Sequence, residues 1–119
     1  MVKYLRPWVK KKKAWAQYSM GQMYRYGHGV KQSYKMEKIL YELAAQQGVV
    51  RAMYNLGDMY YKGKGVAQSY EKAFEYYKQA ADLEYASAQF NLGQMYFKGE
   101  WAKQSYEMAR RLFELAAHQ

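Results

Sequence analysis

The residues of this chain with types suited to chemistry are two histidines, a set of recurring serines and a scatter of carboxylates; cysteine is absent. The stretch Gly27-His28-Gly29-Val30 sets a histidine between two glycines. That pattern is open to three uses: a phosphate-cradling loop, a metal-binding corner, or a turn between helices. A phosphate loop should follow a strand and open a helix, which this stretch does not do. His28 and His118 do not stand in a two-His-plus-carboxylate spacing, and without cysteine there is no thiol nucleophile, Cys-based zinc site or disulfide. Ser33, Ser69 and Ser105 would be the nucleophiles of a Ser-His-Asp arrangement, but each stands where a helix begins and its hydroxyl is wanted as a cap. Glu42, Glu75 and Glu114 fit solvated helix faces. The chain reads as no enzyme, with no catalytic, cofactor-binding or metal-binding residues.

The elements around these residues come from internal repetition. Gly21, Gly57 and Gly93 are spaced by 36 residues (57 − 21 and 93 − 57), and Ala16/Ala52/Ala88, Tyr24/Tyr60/Tyr96, Gly27/Gly63/Gly99, Gln32/Gln68/Gln104, Ser33/Ser69/Ser105 and Ala44/Ala80/Ala116 keep the same register. Self-similarity at this period marks one supersecondary unit stacked on copies of itself. In each unit the apolar residues predict two helices. Helix A presents Ala16, Met20, Met23 and Tyr24, then Ala52, Leu56, Met59 and Tyr60, then Ala88, Leu92, Met95 and Tyr96 on one face. Helix B opens at the repeated Gln-Ser-Tyr and buries Leu40, Tyr41 and Ala44, with Tyr76, Tyr77 and Ala80, and Leu112, Phe113 and Ala116, in the later copies. His28 falls in the turn between the two, where its equivalents are Lys64 and Glu100; a position that takes all three faces solvent. The predicted fold is all-α, a solenoid of three helix-turn-helix repeats and about six helices. Residues 16–119 form a single repeat domain (units 16–51, 52–87 and 88–119), preceded by a short basic segment, residues 1–15, that reads as a linker or the remnant of a preceding helix.

The net charge of +9 invites a nucleic-acid reading until it is apportioned. Residues 1–15 carry +6, 16–51 carry +3, 52–87 carry −1 and 88–119 carry +1. Two thirds of the excess thus lies in the N-terminal segment, and the repeat body is close to balanced. No run approaches the roughly 20 apolar residues that cross a bilayer, and no secretory leader pattern opens the chain, so cytoplasm or nucleus is the expected location.

Ala52, Leu56, Gly57, Tyr60, Gly63, Gly65, Val66, Lys72, Ala73, Ala80 and Ala81 meet the pattern of the Sel-1-like repeat family, a relative of the tetratricopeptide repeat, and the chain resembles that family over residues 16–119. The resemblance implies a right-handed α-solenoid whose members scaffold protein complexes as adaptors without catalysis of their own. It also admits a chain that is part of a longer repeat protein. Three departures stand out. The third turn reads Gly99-Glu100-Trp101-Ala102, with Trp101 in place of Gly29 and Gly65; Leu83-Glu84 replaces Gln47-Gly48 after helix B; and Met20 takes the place of Leu56. The carboxylate clamp of some tetratricopeptide repeats requires a Lys and an Asn that are missing from the corresponding stretches here.

Opposite the packing face of helix A lie Tyr18, Gln22 and Arg25, then Tyr54, Asp58 and Tyr61, then Phe90, Gln94 and Phe97. Stacked, they would line a concave groove. The simplest reading of the Tyr18/Tyr54/Phe90 column is packing between neighbouring A helices. The columns that change between copies are free of that duty and are better suited to recognition: Trp15/Arg51/Ser87, Gln22/Asp58/Gln94, Arg25/Tyr61/Phe97 and Tyr26/Lys62/Lys98. Exposed aromatic and Arg residues are common interface anchors. The candidate partner-binding residues are therefore Trp15, Tyr18, Gln22, Arg25, Arg51, Tyr54, Asp58, Tyr61, Lys62, Phe90, Gln94, Phe97 and Lys98, and the expected partner is a protein or peptide rather than nucleic acid. The alternative is polyanion binding, to nucleic acid or anionic lipid, through the N-terminal Lys/Arg segment around Lys10–Lys13.

Overall fold

The computed structural model describes residues 13–119, so most of the basic N-terminal segment lies outside the described residues. The described chain is all-α: α1 (Ala14–Tyr26), α2 (Tyr34–Gln46), α3 (Val50–Lys62), α4 (Tyr70–Asp82), α5 (Ala86–Lys98) and α6 (Tyr106–Ala117). These six helices make three helix-turn-helix repeats, the fold class that the 36-residue register implies. The chain divides into two compact units, the first ending at Ala52 and the second running from Met53 to Gln119. No helix among the described residues is long and apolar enough to cross a membrane.

In the first unit α1 packs on α2, burying Ala16 and Met20 from one and Leu40, Tyr41 and Ala44 from the other. In the second, Leu56, Met59 and Tyr60 of α3, Ala73, Tyr77, Ala80 and Ala81 of α4, Ala88, Leu92 and Met95 of α5, and Ala109 and Leu112 of α6 are buried. These are the helical stripes read from the sequence, with Met23, Tyr24, Tyr76, Tyr96, Phe113 and Ala116 half-buried rather than fully enclosed.

The connections are built three times from the same hydrogen bonds. Ser33, Ser69 and Ser105 stand in extended backbone at φ −151° and cap the B helices. Their hydroxyls accept from the amides of Met36 (3.2 Å), Lys72 (3.1 Å) and Met108 (3.1 Å), satisfying donors that the first turn leaves free. The preceding glutamine has a role that the sequence reading missed. Gln32, Gln68 and Gln104 donate from Nε2 to the carbonyls of Arg25, Tyr61 and Phe97 at 3.0, 3.0 and 2.9 Å, tying the end of each A helix to the start of its B helix. Gly-His-Gly-Val is thus helix punctuation. Gly27 and Gly29 take left-handed φ values of 68° and 76°, and the His28 amide donates to the carbonyl of Met23.

The third turn keeps this course although its sequence departs from the pattern. Trp101 adopts φ 66° where Gly29 and Gly65 take 76° and 74°, and the Glu100 amide donates to Met95 as the Lys64 amide does to Met59. Glu84 likewise takes φ 63° in the position of Gly48. Tertiary context holds both residues in a region that an L side chain enters at a cost of roughly 1–2 kcal/mol.

At the middle of each A helix a glycine faces an aromatic ring of its B helix. A Cβ added to Gly21 would lie 2.7 Å from Tyr41, one on Gly57 2.6 Å from Tyr77, and one on Gly93 2.8 Å from Phe113. Tyr77 is buried and has no room to swing aside. We expect Gly57→Ala to destabilise the protein by roughly 1–2 kcal/mol in chemical denaturation, overpacking of about 1–3 kcal/mol outweighing alanine's gain of up to about 1 kcal/mol in helix propensity. In a Tyr77→Leu background the same change should cost less; an equal cost in both would place the strain elsewhere.

Candidate functional site

Seven of the predicted residues come together in the second unit. Tyr54, Asp58, Tyr61 and Lys62 on α3 face Phe90, Gln94 and Lys98 on α5 across a concavity of about 340 Å³, with Tyr77 and Asn91 completing its lining. The spacing does this directly: 54, 58, 61 and 62 fall on one face of one helix, and 90, 94 and 98 on one face of the next.

Packing beneath the groove sets the orientation of its walls. The Tyr54 ring lies 5.7 Å from that of Tyr77, and Phe90 lies 5.3 Å from Phe113. The Tyr18/Tyr54/Phe90 column packs on the helix B aromatic of its own repeat, Tyr18 likewise 5.7 Å from Tyr41, and Tyr54 packs also on Tyr85 at the start of the next A helix, 5.3 Å away. Tyr54 also reaches the neighbouring A helix, its hydroxyl accepting from Asn91 Nδ2 at 3.2 Å. Asn91, the equivalent of Asn55 and Ser19, was not among the residues expected in the groove.

The polar residues of the groove differ in how far they are committed. The Tyr77 hydroxyl donates to Asp58 at 3.3 Å, and the other Asp58 oxygen pairs with Lys62 at 3.2 Å. The Tyr61 hydroxyl meets both carboxylate oxygens of Glu100, at 2.8 and 2.9 Å. Gln94 is left open for a reason that lies one helix away. In the first repeat the Tyr41 hydroxyl donates to Gln22, and in the second Tyr77 holds Asp58, but the third repeat has Phe113 at that position and no hydroxyl to offer. Gln94 is half-buried and Lys98 is exposed.

The remaining candidates do not line this groove. Phe97 lines a separate, largely apolar hollow of about 360 Å³ with Tyr106, Ala109 and Phe113. Trp15 is 56% exposed, Arg51 is exposed, and Gln22 is engaged by Tyr41. Arg25, expected as a recognition residue, is turned to internal use: its Nε lies 3.9 Å from Glu37, whose side chain is fully buried. Glu37 occupies the position of Ala73 and Ala109, so the first repeat alone inserts a carboxylate into a site that is otherwise methyl-sized, and Arg25 stands where Tyr61 and Phe97 stand in the others. The sequence held that signal in the column Glu37/Ala73/Ala109. No cluster of three or more His, Cys, Asp or Glu residues suited to holding a metal ion occurs among the described residues.

Comparison with known proteins extends the internal repetition outward. The family model described as Sel1 repeat matches residues 16–49, 50–85 and 86–119. Among solved structures, a protective antigen present in uropathogenic Escherichia coli strains, displaying an SLR fold, is 33% identical with a TM-score of 0.94; the match covers 99% of this chain and 25% of that one. A Sel1 repeat protein from Oxalobacter formigenes is 30% identical with a TM-score of 0.89, covering 99% of this chain and 89% of the other. The chain thus spans a quarter of the length of the antigen. No curated protein matches it.

Two measurements test this local chemistry. Replacing Arg25 by Met removes the cation beside a buried carboxylate and should cost about 3–5 kcal/mol in chemical denaturation. The double change Arg25→Tyr with Glu37→Ala, which imports the residues of the second repeat, should recover most of that loss; a double variant as unstable as Arg25→Met would refute the pairing. Burial, and then the bond to Glu100 and its negative charge, push the Tyr61 phenol up to about 12. An acid whose pKa is raised by folding favours the folded state fully below its unfolded value, about 10, and that contribution is lost as pH climbs through the folded value. Alkaline titration by ultraviolet absorbance, with Tyr61→Phe subtracted, should show one phenol ionising near 12. Ionisation at the ordinary value would mean that Glu100 does not hold it.

Proposed function

The chain belongs to the Sel1 repeat family, and on that premise we infer that it is a non-catalytic adaptor that binds a protein or extended peptide in the groove between α3 and α5. One observation carries this reading: the variable positions of two successive A helices converge on a single concavity whose aromatic floor is fixed and whose upper wall keeps Gln94 and Lys98 uncommitted. A surface of this kind binds through a few anchors, with main-chain and polar contacts around them. Phe90, 47% exposed although it rests on Phe113, is the apolar anchor, and Gln94 and Lys98 on the same helix face are the polar ones. The helix fixes their backbone positions, so no loop has to order when a partner binds.

The competing reading places binding in the basic segment around Lys10–Lys13. The experiment that separates the two uses the protein that co-purifies with the intact chain. Gln94→Ala with Lys98→Glu should weaken its binding by more than about 1 kcal/mol while leaving stability unchanged, since neither side chain supports the fold. Neutralising Lys10–Lys13 should alter mainly the association rate and its salt dependence. The reverse pattern, with binding abolished only in the lysine variant and affinity falling steeply with salt, would replace the groove by the polyanion reading.

A further inference from the structure

We propose that the groove of the second unit takes an acidic, extended segment of its partner, and that Glu100 occupies the place of that segment's carboxylate until the partner arrives. The proposal rests on the groove being the binding surface and says what chemistry enters it.

The first observation is that the groove edge already binds a carboxylate. The Tyr61 hydroxyl sits astride both oxygens of Glu100, at 2.8 and 2.9 Å, and Glu100 reaches it from a different repeat, 39 residues along the chain. A hydroxyl has one proton to give, so an incoming carboxylate can gain that bond only by displacing Glu100. Charge points the same way. Of the charged groups lining the groove, Asp58 is matched by Lys62, which leaves Lys98 in excess. Glu100 balances that excess while it stays in place, and an acidic ligand would balance it in its stead. Gln94 and Lys98 lie on one face of α5 at i and i+4, two uncommitted donors one helical turn apart, while Asn91 already donates to Tyr54.

The second observation is the turn that carries Glu100. Its equivalents in the other repeats are His28 and Lys64, so an acid is found only where Tyr61 can meet it. The next residue, Trp101, holds φ 66° with its side chain 57% exposed, in a position that the other two repeats give to glycine. Backbone strain of this kind needs surrounding contacts to hold it. It also lowers the cost of moving the turn, because Trp101 gains by leaving the left-handed region.

The test uses two labelled peptides, one alternating Glu and Leu and the other alternating Gln and Leu, with binding read by fluorescence polarisation on the full chain. Glu100→Ala should bind the Glu peptide about fivefold more tightly than the parent, the size of one net hydrogen bond, with no gain for the Gln peptide. In a Tyr61→Phe background the same substitution should give a smaller gain, only what the loss of one acidic charge supplies, because no shared hydroxyl is left to release. Lys98→Glu should remove binding of the Glu peptide. Equal gains for both peptides, or no gain for the Glu peptide, would overturn the competition. Failure of the parent and of Glu100→Ala to bind the Glu peptide, with partner capture still lost in the Gln94 and Lys98 variant, would overturn the acidic occupant while leaving the groove as the binding surface.

Discussion

An aromatic ring of helix B rests where the A helix has no side chain. At Gly21, Gly57 and Gly93 a single added carbon would come within 2.6–2.8 Å of Tyr41, Tyr77 and Phe113. The two helices of a repeat are therefore as close as backbone and ring permit, and the ring is the fixed point from which the outer face is arranged. Its upper side receives Tyr18, Tyr54 or Phe90 from the A helix, at 5.7, 5.7 and 5.3 Å. Where it has a hydroxyl, that hydroxyl meets the residue one turn further on, Gln22 or Asp58. A contact that looks purely structural thus decides which polar groups of each A helix are already spent.

At a few positions where the copies differ, the difference changes which polar groups are engaged. Tyr to Phe at 113 removes one hydroxyl and leaves Gln94 unclaimed. Ala to Glu at 37 takes Arg25 off the surface. Glycine to tryptophan at 101, with a glutamate before it, closes one edge of a groove that the corresponding turns have no acid to close. None of these changes alters the backbone course, because the caps and ties of each turn are made by serine, glutamine and main-chain groups that all three copies share. The scaffold tolerates the disagreements, and so they are available for recognition.

The repeated features were legible in the sequence because each is local: a serine caps its own helix, a glycine bends its own turn, and an apolar stripe recurs at the helical period. The convergence of residues 54, 58, 61 and 62 with 90, 94 and 98 was legible too, since the 36-residue register places the same face of successive A helices side by side. Interactions that join unlike positions were not. Nothing in the pattern links Tyr61 to Glu100, or Gln32 to the carbonyl of Arg25, until the chain has folded. Glu37 lies between these cases. Its column, with alanine in the other two copies, marks an enclosed site, and a charge there required a cation nearby.

Phe97 shows how far register alone can mislead. It is the third member of the Arg25/Tyr61/Phe97 column, yet the groove that holds Tyr61 does not include it. The column is made of equivalent places, and equivalence means the same position relative to the next repeat. Tyr61 and Phe97 each meet the tyrosine that opens helix B of their own repeat, Tyr70 and Tyr106, at 5.3 and 5.2 Å between ring centroids, and Tyr61 bonds in addition to Glu100 in the following repeat. The chemistry of a groove position in a repeat protein is therefore written half in its own residue and half in the repeat that follows. Asp58 and Gln94 differ for the same kind of reason: the tyrosine beneath one bonds to it, and the phenylalanine beneath the other has no hydroxyl to offer.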